Sequence, residues 1–463
     1  MSRVSSMSRL MALAAFASAV LAFPAAAPAA SVPAGFLGIH MEDPADLDSA
    51  GVSIAQEFAT AKANGVETFR FPVYWSSIQP YATWAAVPES RRGTDCTEDP
   101  SGGAPWCLRV LSSVVDSAAL NGIKLVPILL NAPRWAADLA NYPTGPTTGL
   151  TMQIPKDFDQ LASFAKGLAQ RYGPGGSMLP AGKESPIAAW QIWNEPNFRQ
   201  YWPQHDTECA PTRRPTSAPT PCPTISFKDY ANRTITVNLG SLSPADRDRI
   251  NNPAPSKAPL WSRVDAALAA KSVTRLYFAP SYLDLVKRTR SALRTVDPNA
   301  KVMLASIANG DFSVRPQRAA RAVDLDFIYR AGGKGSFDVV AANIFTGNVN
   351  QLSTRITDYR AAMKTGGDNS LPLAVSEFSW ADRMGLPTSA FRPGQLSLAV
   401  GAGQAPCTQA KSNCPPTSQA AAVTAAIDAL VRKRTEYKLW GAYWHSWATD
   451  YSTQLDGNGL VDL

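Results

Sequence analysis

Histidine is scarce in this chain: His40, His205 and His445 are the only three in 463 residues. Neither H-E-x-x-H nor C-x-x-C occurs, so the spacings of zinc proteases, zinc fingers and thioredoxin-like redox pairs are missing. No Gly-rich phosphate fingerprint follows an early strand, and no G-x-S-x-G elbow is present. This removes the usual marks of nucleotide binding and of serine hydrolysis. No set of residues asks for a metal or a cofactor. Charge is sparse as well, at 17% of residues, with a formal net charge of +7 that falls to +5 without Arg3 and Arg9. The one basic cluster, Lys287, Arg288, Arg290 and Arg294, lies on an expected helix without interleaved aromatics. It reads as a solvated face and gives no case for nucleic acid.

Long apolar runs are confined to the first residues. Arg3 and Arg9 precede an apolar stretch from about Leu10 to Phe23, followed by Ala27-Pro28-Ala29. A basic start, a short apolar core and small residues make residues 1–29 a secretory signal peptide, too short and Ala-rich for a membrane span. The mature chain is therefore expected to be exported, with no membrane span. Six cysteines suit that compartment. They fall into three near-neighbour couples, Cys96 with Cys107, Cys209 with Cys222 and Cys407 with Cys414. Short-loop closure favours pairing within each couple, and each lies in a segment between a strand and the following helix.

What the chain does have is alternation. Short, almost continuous apolar runs are spaced along it: Phe36–His40, Val66–Val73, Ile123–Leu130, Ile187–Ile192, Lys301–Ser306, Phe337–Asn343, Leu373–Phe378 and Leu439–Trp444. Runs of this kind are strands buried on both faces. Between them stand helix-spaced stretches, Leu47–Asn64, Leu108–Leu120, Phe158–Tyr172, Tyr277–Val296, Asp324–Ala331, Leu352–Met363 and Ala420–Tyr437. Eight strands alternating with helices imply a parallel sheet, and a closed TIM (β/α)8 barrel is its natural form. The reading is one barrel domain over residues 30–463, with a Pro/Ser/Thr-rich loop insertion at about 199–260. No eighth helix is expected before Leu463. A doubly wound open sheet is the alternative, and the missing dinucleotide fingerprint weighs against it.

The fourth strand ends on Trp193-Asn194-Glu195-Pro196-Asn197, and the seventh on Ser376-Glu377-Phe378. In a barrel both ends open on the same mouth, where catalytic groups project. Two carboxylates across a cleft can cleave an acetal, one giving a proton to the leaving oxygen and one attacking the anomeric carbon. Glu195, beside Trp193 and Pro196, suits the protonated acid, and Arg70 on the second strand can keep Glu377 ionised. A separation of about 5–5.5 Å would make the reaction retaining. A cap in which Glu195 merely meets solvent is the plainer alternative.

The Trp-Asn-Glu-Pro-Asn stretch, the Ser-Glu-Phe and the Trp at the eighth strand resemble the clan A retaining glycoside hydrolases, with families 5 and 39 most similar. The resemblance covers nearly the whole mature chain. It implies Glu195 as acid/base, Glu377 as nucleophile, Asn194 on a sugar hydroxyl, Arg70 beneath the nucleophile and Trp444 as the floor of the cleaved subsite. Many relatives end strand six with a His and a Tyr that orients the nucleophile, whereas this chain has Asn343 and Phe345. Asn343, His40, Trp135 and Trp380 complete the expected substrate-binding set, and Trp75, Tyr201, Trp202 and Trp447 add aromatic surface on which sugar rings could stack. His445 faces away from Trp444 by strand alternation and reads as structural. The expected partner is a β-linked glycan. A catalytically impaired barrel that binds cell-surface or matrix polysaccharide is the alternative.

Overall fold

The structure is a computed structural model. It describes residues 32–140, 142–145, 150–198, 200–202, 224–228, 234–238, 278–308, 323–346, 349–379, 419–445, 448–449 and 461–462. Eight strand positions form one parallel sheet. They are β1 (Leu37–His40), β2 (Thr68–Tyr74), β3 (Lys124–Leu130), β4 (Trp190–Ile192), an interrupted β5 (Val302–Met303 and Ile307–Ala308), β6 (Val340–Asn343), β7 (Leu373–Phe378) and β8 (Leu439–His445). The order runs from the second piece of β5 through β6, β7, β8, β1, β2, β3 and β4 back to the first piece. Because both pieces belong to one stretch of chain, the sheet closes on itself. Leu304 N–H donates to Val339 O at 2.9 Å and Asp338 N–H to Val302 O at 2.8 Å across the seam. This is the expected (β/α)8 barrel.

Helices α1 (Ile54–Ala63), α2 (Arg109–Asn121), α3 (Phe158–Tyr172), α4 (Ala279–Arg294), α5 (Val323–Arg330), α6 (Val349–Thr365) and α7 (Gln419–Lys433) alternate with the strands. Their ends follow local chemistry. Ser53 caps α1 by accepting from Gln56 N–H, and Gly122 closes α2 in the left-handed region at φ 64°, where a residue without Cβ costs least. The helix expected over Leu47–Asn64 is instead two, Pro44–Ser49 and α1. Gly51, at φ +76°, turns the chain between them. The basic cluster on α4 is also more than a solvated face. Arg290 and Arg294 both reach Asp338, whose other oxygen accepts Val302 N–H at 2.9 Å, so the ion pairs clamp the β5–β6 seam.

Inside the barrel, strand alternation stacks a compact apolar plug from Val126, Ala189, Met303, Val339, Ala341, Ala374 and Tyr443. Gly38 is required here: a Cβ would fall 2.4 Å from the Tyr443 ring. Along the same inward rows, toward the C-terminal ends, the residues become polar: His40, Arg70, Gln191 and Asn343, all buried. Bulges re-aim the last residues of two strands. The ladder between β6 and β7 shifts at Ala342/Asn343, which brings Asn343 level with Glu377, the usual effect of an extra residue in one strand.

The rim is partly described. Cys96 and Cys107 are bonded to one another and face each other in a two-stranded antiparallel pair in the segment between β2 and α2. They pack with Val87, Tyr81 and Trp84 in a small cluster of their own. Cys209, Cys222, Cys407 and Cys414 lie outside the described residues, as do most of 199–260 and everything after 445 except two short pieces. Within the expected loop insertion, Thr224–Lys228 and Thr234–Asn238 form an antiparallel hairpin. Replacing both Cys96 and Cys107 by serine is expected to free the rim segment and leave the barrel folded. Hydrogen exchange should lose protection at Trp106 to Leu108 while β2 and β3 keep theirs. Equal loss in the strands would show that the bond supports the barrel itself.

Candidate active site

Arg70 is where the site begins. It is fully buried, and a guanidinium can only donate, so every donor needs an acceptor. Its Nη1 donates to Glu377 Oε1 at 2.6 Å and to His40 Nδ1 at 2.9 Å. Its Nε donates to Gln191 Oε1 at 2.8 Å, and its Nη2 to Asn194 Oδ1 at 2.8 Å and Ser306 Oγ at 2.9 Å. Five residues from four strands and the loop after β4 are thus held by one cation. With its oxygen taken, Asn194 keeps its amide N–H groups for a ligand acceptor.

Glu195 comes from a strained turn. Trp193 and Glu195 both sit in the left-handed region, at φ 68° and 45°, which costs a non-glycine residue about 1–3 kcal/mol. The surroundings hold them there. Trp193 N–H donates to Leu129 O and its Nε1 to Tyr201 O, while Glu195 N–H donates to Ser306 O. The turn delivers the Glu195 carboxyl to Asn343, whose Nδ2 donates to Oε1 at 2.8 Å. Burial first, and then the negative charge of Glu377, push the Glu195 carboxyl up to about 8, against the opposing pull of Asn343 and Arg70. At neutral pH it therefore carries a proton. Glu377, equally buried, differs by having the cation against it.

A second polar group flanks Glu377. The rings of His40 and His445 stack with centroids 4.9 Å apart. His445 Nε2 lies 3.9 Å from Glu377 Oε2 and 3.4 Å from Glu42 Oε1. Burial, with Arg70 and His445 next, lowers the His40 imidazole well below its ordinary range, so it is neutral. Ligand atoms of His40, Glu42 and His445 lie within 4.8 Å of one another, close enough for a cation to be considered. The set does not suit one. Arg70 can only donate to His40 Nδ1, which puts the single ring proton on Nε2 and leaves no lone pair there for a metal.

Of the residues picked from the sequence, Glu195, Glu377, Asn194, Arg70, His40 and Asn343 come together. Tyr201 stands near enough to Glu195 and Glu377 that their charges, after burial, raise its phenol. Trp444 does not join them. It is buried on the outward row of β8, edge-on to Phe378 at 5.4 Å, while His445 takes the inward place beside Glu377. The expected places of these two neighbours are reversed, because β8 is apolar on both faces and carries no polar alternation to set its phase. Phe345 meets His445 edge-on at 5.8 Å. Trp135 is half-buried, its Nε1 donating to Gln79 O. Trp75 and Trp202 are core residues, stacked on Phe164 and edge-on to Trp193. Trp380 and Trp447 lie outside the described residues. Sequence reasoning gave no role to Gln191, Ser306 or Ser376, although each is a polar residue in an otherwise apolar run, a costly placement unless hydrogen-bonded.

No protein-family model matches the chain, and no curated protein matches it. Among solved structures it is similar to a glucosidase from Croceicoccus marinus, at 12% identity and TM-score 0.49 over 92% of this chain and 64% of that one. It is also similar to a family 39 glycoside hydrolase from Bacteroides cellulosilyticus, at 13% identity and TM-score 0.45 over 92% and 59%. An endo-1,4-beta-D-mannanase from Thermotoga petrophila gives 12% identity and TM-score 0.47 over 92% and 95%. The chain thus spans less than two thirds of the first two.

Proposed function

We propose that this chain is an exported glycoside hydrolase that cleaves β-linked glycans with retention, using Glu195 as acid/base and Glu377 as nucleophile. One observation carries the reading: two buried carboxyl groups end β7 and the loop after β4, and they have unlike partners, an amide on one and a guanidinium on the other. Unlike environments are what divide acid from nucleophile in such a pair. The first residues support export, and among the described residues no helix is long and apolar enough to cross a membrane.

In the first half of the reaction the Glu377 carboxylate attacks the anomeric carbon, forming a glycosyl ester as the C1–O bond breaks. Glu195 gives its proton to the departing oxygen. In the second half a water attacks C1 and the ester bond to Glu377 breaks. Glu195, now ionised, takes the water's proton and is restored. Asn194 offers its amide to a hydroxyl of the sugar, and Tyr201 borders the acid. Hydrolysis of aryl β-glycosides, with proton NMR showing β-configured product first, tests the reading. A panel of β-glucan, mannan, xylan and galactan with reducing-end detection identifies the glycan. Binding without turnover on the whole panel would favour a polysaccharide-binding barrel instead.

The acid's proton affinity sets the pH profile. Glu195 must be protonated in the first half-reaction, and it loses its proton as pH rises through about 8. The alkaline limb of kcat/KM is therefore expected near pH 8, for a substrate whose leaving group needs protonation. For an activated aryl glycoside, whose leaving group departs without a proton, the native protein should lose that limb. A limb that stays in place would assign it to another residue.

A further inference from the structure

Asn343 stands where the resemblance led to an expectation of a substrate-binding group, yet it is fully buried and spends its amide on Glu195. What decides which end of that amide faces the acid is a chain of hydrogen bonds with one direction. Ser306 Oγ accepts from Arg70 Nη2 at 2.9 Å and from Gln191 Nε2 at 3.1 Å. Both of its acceptor sites are then filled, so its proton goes to Ser376 Oγ at 2.7 Å. Ser376 in turn gives its own proton to Asn343 Oδ1 at 3.0 Å. With the carbonyl end occupied, Asn343 turns its N–H2 toward Glu195. Gln191 cannot reverse the chain, because its own oxygen accepts from Arg70 Nε and its nitrogen also donates to Trp193 O.

We propose that Asn343 is a positioning residue for Glu195, held with its amide nitrogen toward the acid by a hydrogen-bond relay that runs from Arg70 through Ser306 and Ser376. The relay originates at the one group that can only donate, so its direction is set by covalent chemistry. Arg70 thereby addresses both carboxyl groups, Glu377 directly with its charge and Glu195 through neutral hydroxyls and an amide. A donor on a carboxyl oxygen favours the ionised form. Asn343 thus opposes burial and the Glu377 charge, and keeps the acid within reach of working pH. Every link is buried, where an orphaned polar group is costly and a satisfied network holds one arrangement. The other charged or titratable groups acting on Glu195 are Glu377, Arg70, Tyr201 and Tyr359, and none belongs to the relay's two hydroxyls.

The inference rests on Glu195 being the acid of the proposed reaction, but its test does not require turnover. Carbon-13 NMR of the full chain labelled at the glutamate carboxyl carbons, assigned with Glu195→Gln, follows the titration of Glu195 itself. Ser376→Ala and Ser306→Ala each cut the relay at a side chain that makes no hydrogen bond to Glu195, and each is expected to move its midpoint up by about one pH unit, the scale of one hydrogen bond to a charged group. Asn343→Ala should move it at least as far, and Ser376→Thr, which keeps the hydroxyl, should hold the wild-type midpoint. The alkaline limb of kcat/KM should follow the same order in any glycoside that is turned over and whose leaving group needs protonation. Midpoints unchanged in both serine variants would overturn the relay. Shifted midpoints in a protein that hydrolyses no glycoside would leave the relay standing and reject the glycosidase reading alone.

Discussion

Replacing Glu377 by alanine is expected to lower kcat on an aryl β-glycoside by on the order of 10⁵-fold, the scale seen when the attacking group of a covalent mechanism is removed. The size follows from what is lost. Glu195 can still protonate a leaving oxygen, but no carboxylate remains to form the glycosyl ester, and water must attack unaided. KM should change far less, because the Asn194 amide proposed to meet a sugar hydroxyl is left untouched. Stability is expected to fall as well, because the Arg70 cation is left buried without a counter-charge. Glu377 is buried against a cation, and its loss leaves Arg70 with one acceptor fewer while four others stay in place. Measuring kcat beside a denaturation midpoint separates the two effects. A residual rate within tenfold of the native protein would remove Glu377 from the mechanism.

Arg70→Leu is expected to be the most damaging single change to the fold of the site. The substitution leaves the Glu377 carboxylate buried without its cation, and strips a donor from His40, Gln191, Asn194 and Ser306 together. Removing one partner of a buried ion pair costs about 3–5 kcal/mol, a large part of the net stability of an ordinary domain. Equilibrium unfolding at neutral pH reads the loss directly. Arg70→Lys should recover little, because an ammonium is a point charge and cannot span five acceptors in fixed directions. If Arg70→Lys proves as stable and active as the native chain, the guanidinium's geometry is not what organises the site.

Both results bear on why some of this protein could be read along the chain and some could not. The barrel itself is written locally. Apolar runs such as Lys124–Leu130 give strands, amphipathic stretches such as Phe158–Tyr172 give helices, and Gly122 marks a helix end, whereas the break at Gly51 that divides Leu47–Asn64 was not read. Glu195 and Glu377 were legible for the same reason, as carboxylates that close otherwise apolar strands. Arg70 was legible because a cation inside a buried strand needs an acid.

By itself, then, the amino-acid order determined which segments become strands, that eight of them alternate with helices, and which acidic groups stand at the mouth. Tertiary structure alone decided the phase of β8, which puts His445 beside Glu377 and turns Trp444 outward, and the relay that commits Asn343 to Glu195. A strand buried on both faces has no polar alternation to declare its phase. The relay joins residues far apart in the chain, and only strand register and the bulge at Ala342/Asn343 bring them level. Those depend on the closure of the whole sheet, which no local stretch encodes.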